Sequence, residues 1–150
     1  MPTVEQMQQF EDFYVESKEK TDDRISEILK ENEEIASKRR LLEHSTVGGK
    51  RIRPVLTLLT SEVYDSPYDR AINHAAIVEL LHNASLIADD VVDGDDERRG
   101  KPTFHKVIGK LPLGGFGDRL EAGATVMSAN GLVALAQGLV EDPDVLNAVG

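Results

Sequence analysis

Apolar residues recur at intervals of three and four along most of this chain, which is the spacing that gives an α-helix one apolar face. The clearest case runs from about Tyr68 to Asp93 and is rich in Ala, Ile, Leu and Val. The turn residues Asp65-Ser66-Pro67 precede it. This pattern predicts one long helix, which we expect to be the central element of the fold.

Capping and turn residues predict further helices on both sides of the central one. Thr3 is suited to cap the first helix, and its apolar stripe of Met7, Phe10, Phe13 and Tyr14 is expected to serve packing. A proline in the first turn suits the third helix, because its missing N–H has no partner there. These helices are predicted to begin at Val4, at Thr21, near Pro54 and at about Glu121.

Composition favours one all-α domain over residues 1–150. The 150 residues are enough for one core, and hydrophobic residues make up 40% while aromatic residues make up only 5%. No cysteine is present, so disulfides and thiolate metal sites are excluded. A metal would have to be bound by oxygen or imidazole.

The formal net charge of −10 disfavours nucleic acid and anionic membrane surfaces as partners. The amino terminus has no basic-then-apolar signal, and no apolar run approaches membrane-spanning length. We therefore predict a cytoplasmic protein that is not an integral membrane protein. An anionic substrate would need local basic residues, and these cluster at Lys50, Arg51 and Arg53 and again at Arg98, Arg99 and Lys101.

Three carboxylates, Asp89, Asp90 and Asp93, end the central apolar helix. Asp89 and Asp93 lie four residues apart and therefore project from one helical face, which His82 and Ser85 share. Oxygen ligands on adjacent turns suit a Mg²⁺ ion that is shared with substrate phosphates. With an arginine pair in the following loop, the pattern predicts a diphosphate and Mg²⁺ site, and we expect the shared face to line one cavity.

The chain resembles the amino-terminal half of the trans-type isoprenyl diphosphate synthases, the polyprenyl synthetase family. The resemblance is clear from about Val47 to His105, and three sequence blocks carry it in the order of the family. These blocks are Gly48-Gly49-Lys50-Arg51-Ile52-Arg53-Pro54, Glu79-Leu80-Leu81-His82, and Asp89-Asp90-Val91-Val92-Asp93 with Arg98-Arg99-Gly100-Lys101-Pro102-Thr103.

The resemblance implies head-to-tail prenyl transfer, in which isopentenyl diphosphate is condensed with an allylic diphosphate. It implies Mg²⁺ on Asp89, Asp90 and Asp93, with Arg98 stabilising the leaving diphosphate, so that Asp89, Asp93 and Arg98 form the catalytic set. Isopentenyl diphosphate would be held by residues of the basic loop, the central helix and the arginine pair. These are Lys50, Arg53, His82 and Arg99.

Product length in this family is limited by side chains about one turn before the first aspartate. Ala84 and Ser85 occupy those positions, and Leu81 lies one turn deeper. Small residues leave the tunnel open, so a geranylgeranyl or longer product is predicted. The family also implies an antiparallel helical bundle, of which this chain would be the amino-terminal half, and a homodimer or heterodimer formed through helices.

The chain departs from the family pattern at three places: Ala88 precedes the aspartate motif, Ala129-Asn130 replaces a Gly-Asp pair, and Leu111 to Gly117 is glycine-rich. The second Asp-rich motif of the family has no counterpart in these 150 residues. Three hypotheses follow: an incomplete half of a prenyltransferase, a non-catalytic partner subunit of a full-length prenyl synthase, and a Mg²⁺-binding helical module unrelated to isoprenoids.

Overall fold

The computed structural model describes residues 1–32, 39–46, 48–110 and 118–140. Helices dominate this part of the chain, and its two strands, of two residues each, form a single hairpin. The all-α prediction is therefore confirmed. The elements are α1 (Val4–Glu31), α2 (Arg39–Thr46), α3 (Ile52–Val63), α4 (Tyr68–Asp93), β1 (Glu97–Arg98), β2 (Lys101–Pro102), α5 (Phe104–Gly109) and α6 (Asp118–Val140).

Helix α1 begins where the sequence predicts and is longer than predicted. Thr3 forms a capping box with Gln6, in which each side chain bonds the other residue's backbone N–H. The second start predicted at Thr21 is wrong, because the helix continues through this residue. Thr21 is buried, and its hydroxyl donates to the carbonyl of Ser17 at 2.7 Å, so the polar group is satisfied inside the helix.

The apolar stripe of α1 is only partly packed. Phe13 lies against a small buried cluster formed by α3 and α4. Met7 and Phe10 are more than half exposed, which differs from the packing that we predicted for them. Phe10 contacts Tyr14 with ring centroids 6.5 Å apart.

Helix α4 is the central element, with the bounds that the sequence predicts. Small residues such as Ala75 and Ala76, which are fully buried, let neighbouring helices approach closely. The main core joins α4 to α1, α2, α5 and α6, with Leu29, Leu80 and Leu132 among its most buried side chains.

Two features between Gly94 and Lys110 were not predicted. The segment expected to be a charged loop contains the β1–β2 hairpin, and Arg99 and Gly100 have φ values of 55° and 72° at its turn. Positive φ at both central residues is the signature of a type I′ turn, which suits the twist of a tight hairpin. The short helix α5 follows and buries Phe104 in the main core.

Helix α6 packs against α4 and contributes Leu132, Leu135 and Ala136 to the core. Its stretch Glu121–Val140 is also apolar and long enough to cross a membrane, with a mean hydropathy of 1.3 over its best window. That differs from our reading that no run approaches this length. Length and composition alone fit a core helix equally well. The glycine-rich segment 111–117 lies outside the described residues.

Candidate functional site

Two carboxylates are exposed at the carboxyl end of α4. Asp89 and Asp93 lie one turn apart, about 6 Å along the axis, and neither forms an ion pair with a residue that the structure describes. The helix ends at Gly94, whose left-handed backbone turns the chain away. The carboxyl end of a helix carries partial negative charge, which disfavours carboxylates there. A cation bound at this end would therefore be stabilised both by the two carboxylates and by the helix dipole.

Asp90 faces the other way, although it was predicted to bind metal together with Asp89 and Asp93. Its side chain is 5% exposed and accepts hydrogen bonds at 2.6 Å from Nε and Nη2 of Arg98. Burial of a charged group requires such a partner. The structure therefore separates Asp90 from the two exposed carboxylates and joins it to the hairpin.

The hairpin is anchored so that its arginines lie beside α4. Thr103 is buried, and its hydroxyl donates to the carbonyl of Asp95 at 2.7 Å while its N–H donates to the carbonyl of Asp96 at 3.0 Å. Together with the contact between Arg98 and Asp90, these bonds hold both ends of the turn. Arg99 follows Arg98 at the tip, where its guanidinium group is directed toward the loop before α3.

Arg99 and Gly49 are in close contact. A Cβ atom added to Gly49 would lie 2.6 Å from Nη1 of Arg99, and the φ of Gly49 is +100°, which other residues rarely adopt. Glycine is therefore required here both for space and for conformation. This contact brings the first basic cluster of the sequence next to the second.

The basic residues around the start of α3 differ in burial. Lys50 and Arg53 are exposed, whereas Arg51 is 3% exposed. Arg51 has a left-handed backbone with φ of 51° and occupies the position before the first residue of α3. Pro54 lies in the first turn of α3 as predicted, and no side chain caps this end, so it presents the positive end of the helix dipole beside Lys50 and Arg53.

His82 lies between these cationic groups. Partial burial lowers the pKa of His82, and the guanidinium groups of Arg53, Arg99 and Arg98 lower that pKa further, while Glu79 acts in the opposite direction. Guanidinium groups from the α3 end and from the hairpin are thus near enough to act on one side chain of α4. The three sequence blocks meet in space, and an anion is the ligand that such a cluster would attract.

One cavity beside α4 is lined by residues other than those that we predicted to share one. A cavity of about 210 Å³ lies between α2, α4 and the hairpin, but His82, Ser85, Asp89 and Asp93 do not line it. Those four residues lie on the more exposed face of α4. The cavity is lined on α4 by Asn83, Leu86, Ile87 and Asp90, and elsewhere by His44, Ser45, Gly48, Gly49, Arg98, Arg99, Lys101, Pro102, Thr103 and Phe104.

The three positions predicted to limit product length differ in exposure. Ala84 is buried in the main core, whereas Ser85 is exposed on the same side as Asp89 and Leu81 is 42% exposed. Only Ser85 and Leu81 therefore project from the side on which the carboxylates lie. Of the positions that depart from the family pattern, Ala129 is buried in the core and Asn130 is exposed.

The described residues contain no group of three or more His, Asp or Glu side chains that would hold a metal by themselves. Asp89 and Asp93 nevertheless fit Mg²⁺, because this ion keeps several waters and takes one or two carboxylates together with substrate phosphates. Neither side chain forms an ion pair with any other residue of the described part of the chain, which agrees with that use.

Two structural contributors were missed at the sequence level. Tyr14 donates a hydrogen bond from its hydroxyl to the carbonyl of Lys50, and Arg51 is ion-paired with Asp22 and Glu79. A signal for Glu79 was available, since a single acid inside the apolar run of α4 must have a partner. No comparable signal identifies Tyr14, whose partner is a backbone atom 36 residues away.

Fold and site together define an all-α protein with paired carboxylates at one end of a central helix and a basic, anion-attracting loop beside it. The chain belongs to the polyprenyl synthetase family: the family model for polyprenyl synthetases matches residues 36–145. The resemblance noted in the sequence is thereby confirmed.

Relatives of known name agree with this assignment. The chain is 41% identical over 87 residues to a geranylgeranyl pyrophosphate synthase of Geoglobus acetivorans, a match that covers 58% of this chain and 27% of the relative. It is 41% identical over 105 residues to the large subunit 1 of a heterodimeric, chloroplastic geranylgeranyl pyrophosphate synthase of Arabidopsis thaliana, covering 69% of this chain and 28% of the relative.

Solved structures match over nearly the whole chain. A geranyltranstransferase of Thermotoga maritima superposes with a TM-score of 0.73 at 32% identity, covering 91% of this chain and 47% of that protein. A polyprenyl synthase of Caulobacter crescentus was solved in complex with calcium and isoprenyl diphosphate. It superposes with a TM-score of 0.69 at 28% identity, covering 92% of this chain and 39% of that protein. The chain spans about half the length of these proteins, or less.

Proposed function

We propose that this protein takes part in Mg²⁺-dependent prenyl transfer, in which an allylic diphosphate is joined to isopentenyl diphosphate. One observation carries the proposal: guanidinium groups of α3 and of the hairpin converge on His82, and two exposed carboxylates lie two to three turns further along the same helix face. A cation cluster beside uncompensated carboxylates suits two diphosphates, one of them bound through a metal.

The residues divide into two groups in this proposal. Asp89 and Asp93 would hold Mg²⁺, which when bound would neutralise charge on the diphosphate that leaves. Arg98 would stabilise the same charge, while its contact with Asp90 keeps it in place. Lys50, Arg53, His82 and Arg99 would orient the second diphosphate. The lowered pKa of His82 favours a neutral imidazole at neutral pH, so it would bind through a hydrogen bond.

Two observations bear on the form of the active protein. The face of α4 with Asp89 and Asp93 is open here, and the solved relatives are about twice as long as this chain. The site would therefore be closed by further protein, either of the same polypeptide or of a partner. The likeness to a heterodimeric large subunit supports a dimer and keeps a partner-subunit role as the second candidate. We also propose a cytoplasmic location.

Calorimetry of inorganic pyrophosphate binding, with and without Mg²⁺, tests the proposed site. Wild-type protein should bind pyrophosphate much more tightly when Mg²⁺ is present, and Asp89→Ala should remove that difference. Asp23→Ala is the control, because Asp23 is an exposed carboxylate on α1 outside the site. Equal binding of pyrophosphate with and without Mg²⁺ would count against the site.

Product chromatography tests the reaction. The full-length protein, supplied with isopentenyl diphosphate, allylic diphosphates and Mg²⁺, is expected to make a geranylgeranyl or longer product. Farnesyl diphosphate as the sole product would contradict the predicted length. Activity that appears only after a second prenyl synthase subunit is added would favour the partner-subunit role.

A further inference from the structure

Arg51 lies in the middle of the basic loop but is not available to a ligand. Its side chain is 2% exposed, and each of its three nitrogens donates to a different acceptor. Nε contacts Oδ1 of Asp22 at 2.6 Å, Nη1 contacts Oε1 of Glu79 at 2.6 Å, and Nη2 contacts the carbonyl of Thr46. All three nitrogens of the guanidinium group are therefore engaged within the protein.

These contacts tie four segments of the fold to one side chain. Asp22 belongs to α1, Thr46 ends α2, Glu79 lies in α4, and Arg51 itself precedes the first residue of α3. Glu79 is also buried, and its Oε1 lies 3.4 Å from Nδ2 of Asn83. A buried ion pair with further hydrogen bonds has a defined geometry, because any other arrangement would leave a charge without a partner.

The backbone at Arg51 is unusual for a residue with a side chain. Its φ of 51° lies in the left-handed region, which costs free energy for every residue except glycine. Such a conformation persists only where the surroundings impose it, and here the guanidinium contacts do so. The carbonyl of the preceding Lys50 is held in addition by the hydroxyl of Tyr14.

The consequence concerns the two exposed cations on either side of Arg51. The left-handed turn sets the direction of the chain between Lys50 and Arg53, and Arg53 lies near enough to His82 to lower the pKa of that side chain. On the basis of the proposed anion site, we propose that Arg51 is a positioning residue: through Glu79 and Asp22 it holds the turn that places Lys50 and Arg53 around the diphosphate beside His82 and Arg99.

The test measures the Kd of inorganic pyrophosphate without Mg²⁺ by calorimetry, so that the proposed metal site on Asp89 and Asp93 does not contribute. The thermal unfolding midpoint of the full-length protein is measured alongside. Arg51→Lys keeps the charge but cannot make three divergent contacts. It should weaken pyrophosphate binding about tenfold, a size typical for the loss of a supporting partner at a ligand site. The control is Arg24→Lys, because Arg24 likewise joins two helices: it pairs with Glu27 at 3.1 Å on α1, and its Nε donates to Oδ1 of Asn73 on α4 at 2.9 Å. It should leave the Kd within about twofold, the scatter expected of a substitution outside the site.

A double-variant cycle with Arg53→Ala separates positioning from a general loss of stability. If Arg51 acts through its neighbours, Arg51→Lys should weaken pyrophosphate binding much less in the Arg53→Ala protein than in the wild type. Equal effects in both backgrounds, or an unchanged Kd in Arg51→Lys, would overturn the positioning role while leaving the proposed function intact. If Arg51→Lys does not fold, Glu79→Gln takes its place, since it keeps the side-chain volume and should weaken binding several-fold.

The outcome for the wild-type protein distinguishes the two proposals. Wild-type protein that binds pyrophosphate without Mg²⁺, and binds it more weakly as Arg53→Ala, supports the anion site whatever Arg51→Lys shows. Wild-type protein without measurable pyrophosphate binding would overturn the proposed function, and the role of Arg51 with it.

Discussion

Neighbouring residues of α4 occupy two contrasting environments. On one side of the helix the side chains are enclosed by α1, α5, α6 and the hairpin, and Glu79, Asn83 and Asp90 among them are ion-paired or hydrogen-bonded. On the other side they are open to solvent, and the polar ones have no ionic partner among the described residues. Three adjacent pairs show the contrast: Leu80 and Leu81, Ala84 and Ser85, and Asp90 and Asp89, with the buried member first.

The difference shows that residues of the same type stabilise the fold on one side of α4 and are exposed on the other side. Asp89 and Asp90 are the same residue type one position apart, yet the 100° rotation per residue of an α-helix directs them to different partners. Asp90 pairs with Arg98, while Asp89 is exposed and has no ionic partner among the described residues. Substitutions within each pair therefore separate stability from binding.

The largest effect on stability is expected at the leucine pair. Leu80 is fully buried, so Leu80→Ala should lower the free energy of unfolding by about 2–5 kcal/mol through lost burial and the cavity left behind. Leu81 is 42% exposed, and Leu81→Ala should lower the free energy of unfolding by only about 0.5 kcal/mol. Urea unfolding of both variants measures the difference. Equal losses would show that the outer face of α4 is covered in solution.

The aspartate pair should show a smaller difference. Asp90→Asn leaves Arg98 without its charged partner, and because Arg98 is one-third exposed the loss should be about 1–3 kcal/mol, below that of a fully buried pair. Asp89→Asn should be close to neutral for stability. Denaturant titration of both proteins checks this prediction, which fails if Asp89→Asn is the more destabilising change.

The small-residue pair sharpens the prediction about product length. Ala84 is one of the positions expected to limit product length, but it is buried, so Ala84→Phe should overpack the core and lower stability by about 1–3 kcal/mol. Ser85→Phe projects from the open face and should shorten the product without that loss. Chromatography of the products and thermal unfolding of both variants test this. A shorter product from Ala84→Phe at unchanged stability would contradict it.

The smallest effect concerns His82 and pH. Its pKa in the folded protein is lowered from the model-peptide value of 6.5, so below pH 6.5 the unfolded chain binds a proton at this site more readily than the folded one. The stability contributed by His82 is therefore complete above pH 6.5 and is lost as the pH falls through the lower, folded-state pKa.

His82→Gln should accordingly lose less stability than the wild type between neutral and mildly acidic pH. Urea unfolding across this range measures the slope, with His74→Gln as the control because His74 is exposed on the same helix. Parallel slopes for wild type and His82→Gln would rule out the lowered pKa.

Much of the fold was readable from the sequence, whereas the roles of the site residues stay predictions. The bounds of α4, the cap at Thr3 and the place of Pro54 follow from interactions within one turn of helix, which the local sequence contains. The hairpin and α5 were missed because the turn signal is a single glycine after a charged residue. The continuity of α1 through Thr21 was missed because burial, rather than local preference, satisfies that hydroxyl.

The sequence by itself determined that the chain is helical, that its carboxylates end the central helix, and which family it resembles, since short motifs and periodicity are local properties. The tertiary structure alone decided which of two adjacent aspartates is free, why Gly49 accommodates Arg99, and that Arg51 is buried between its neighbours. The physical reason is distance along the chain: the partners of Arg51 lie 28 and 29 residues away, and only packing of the helices brings them together.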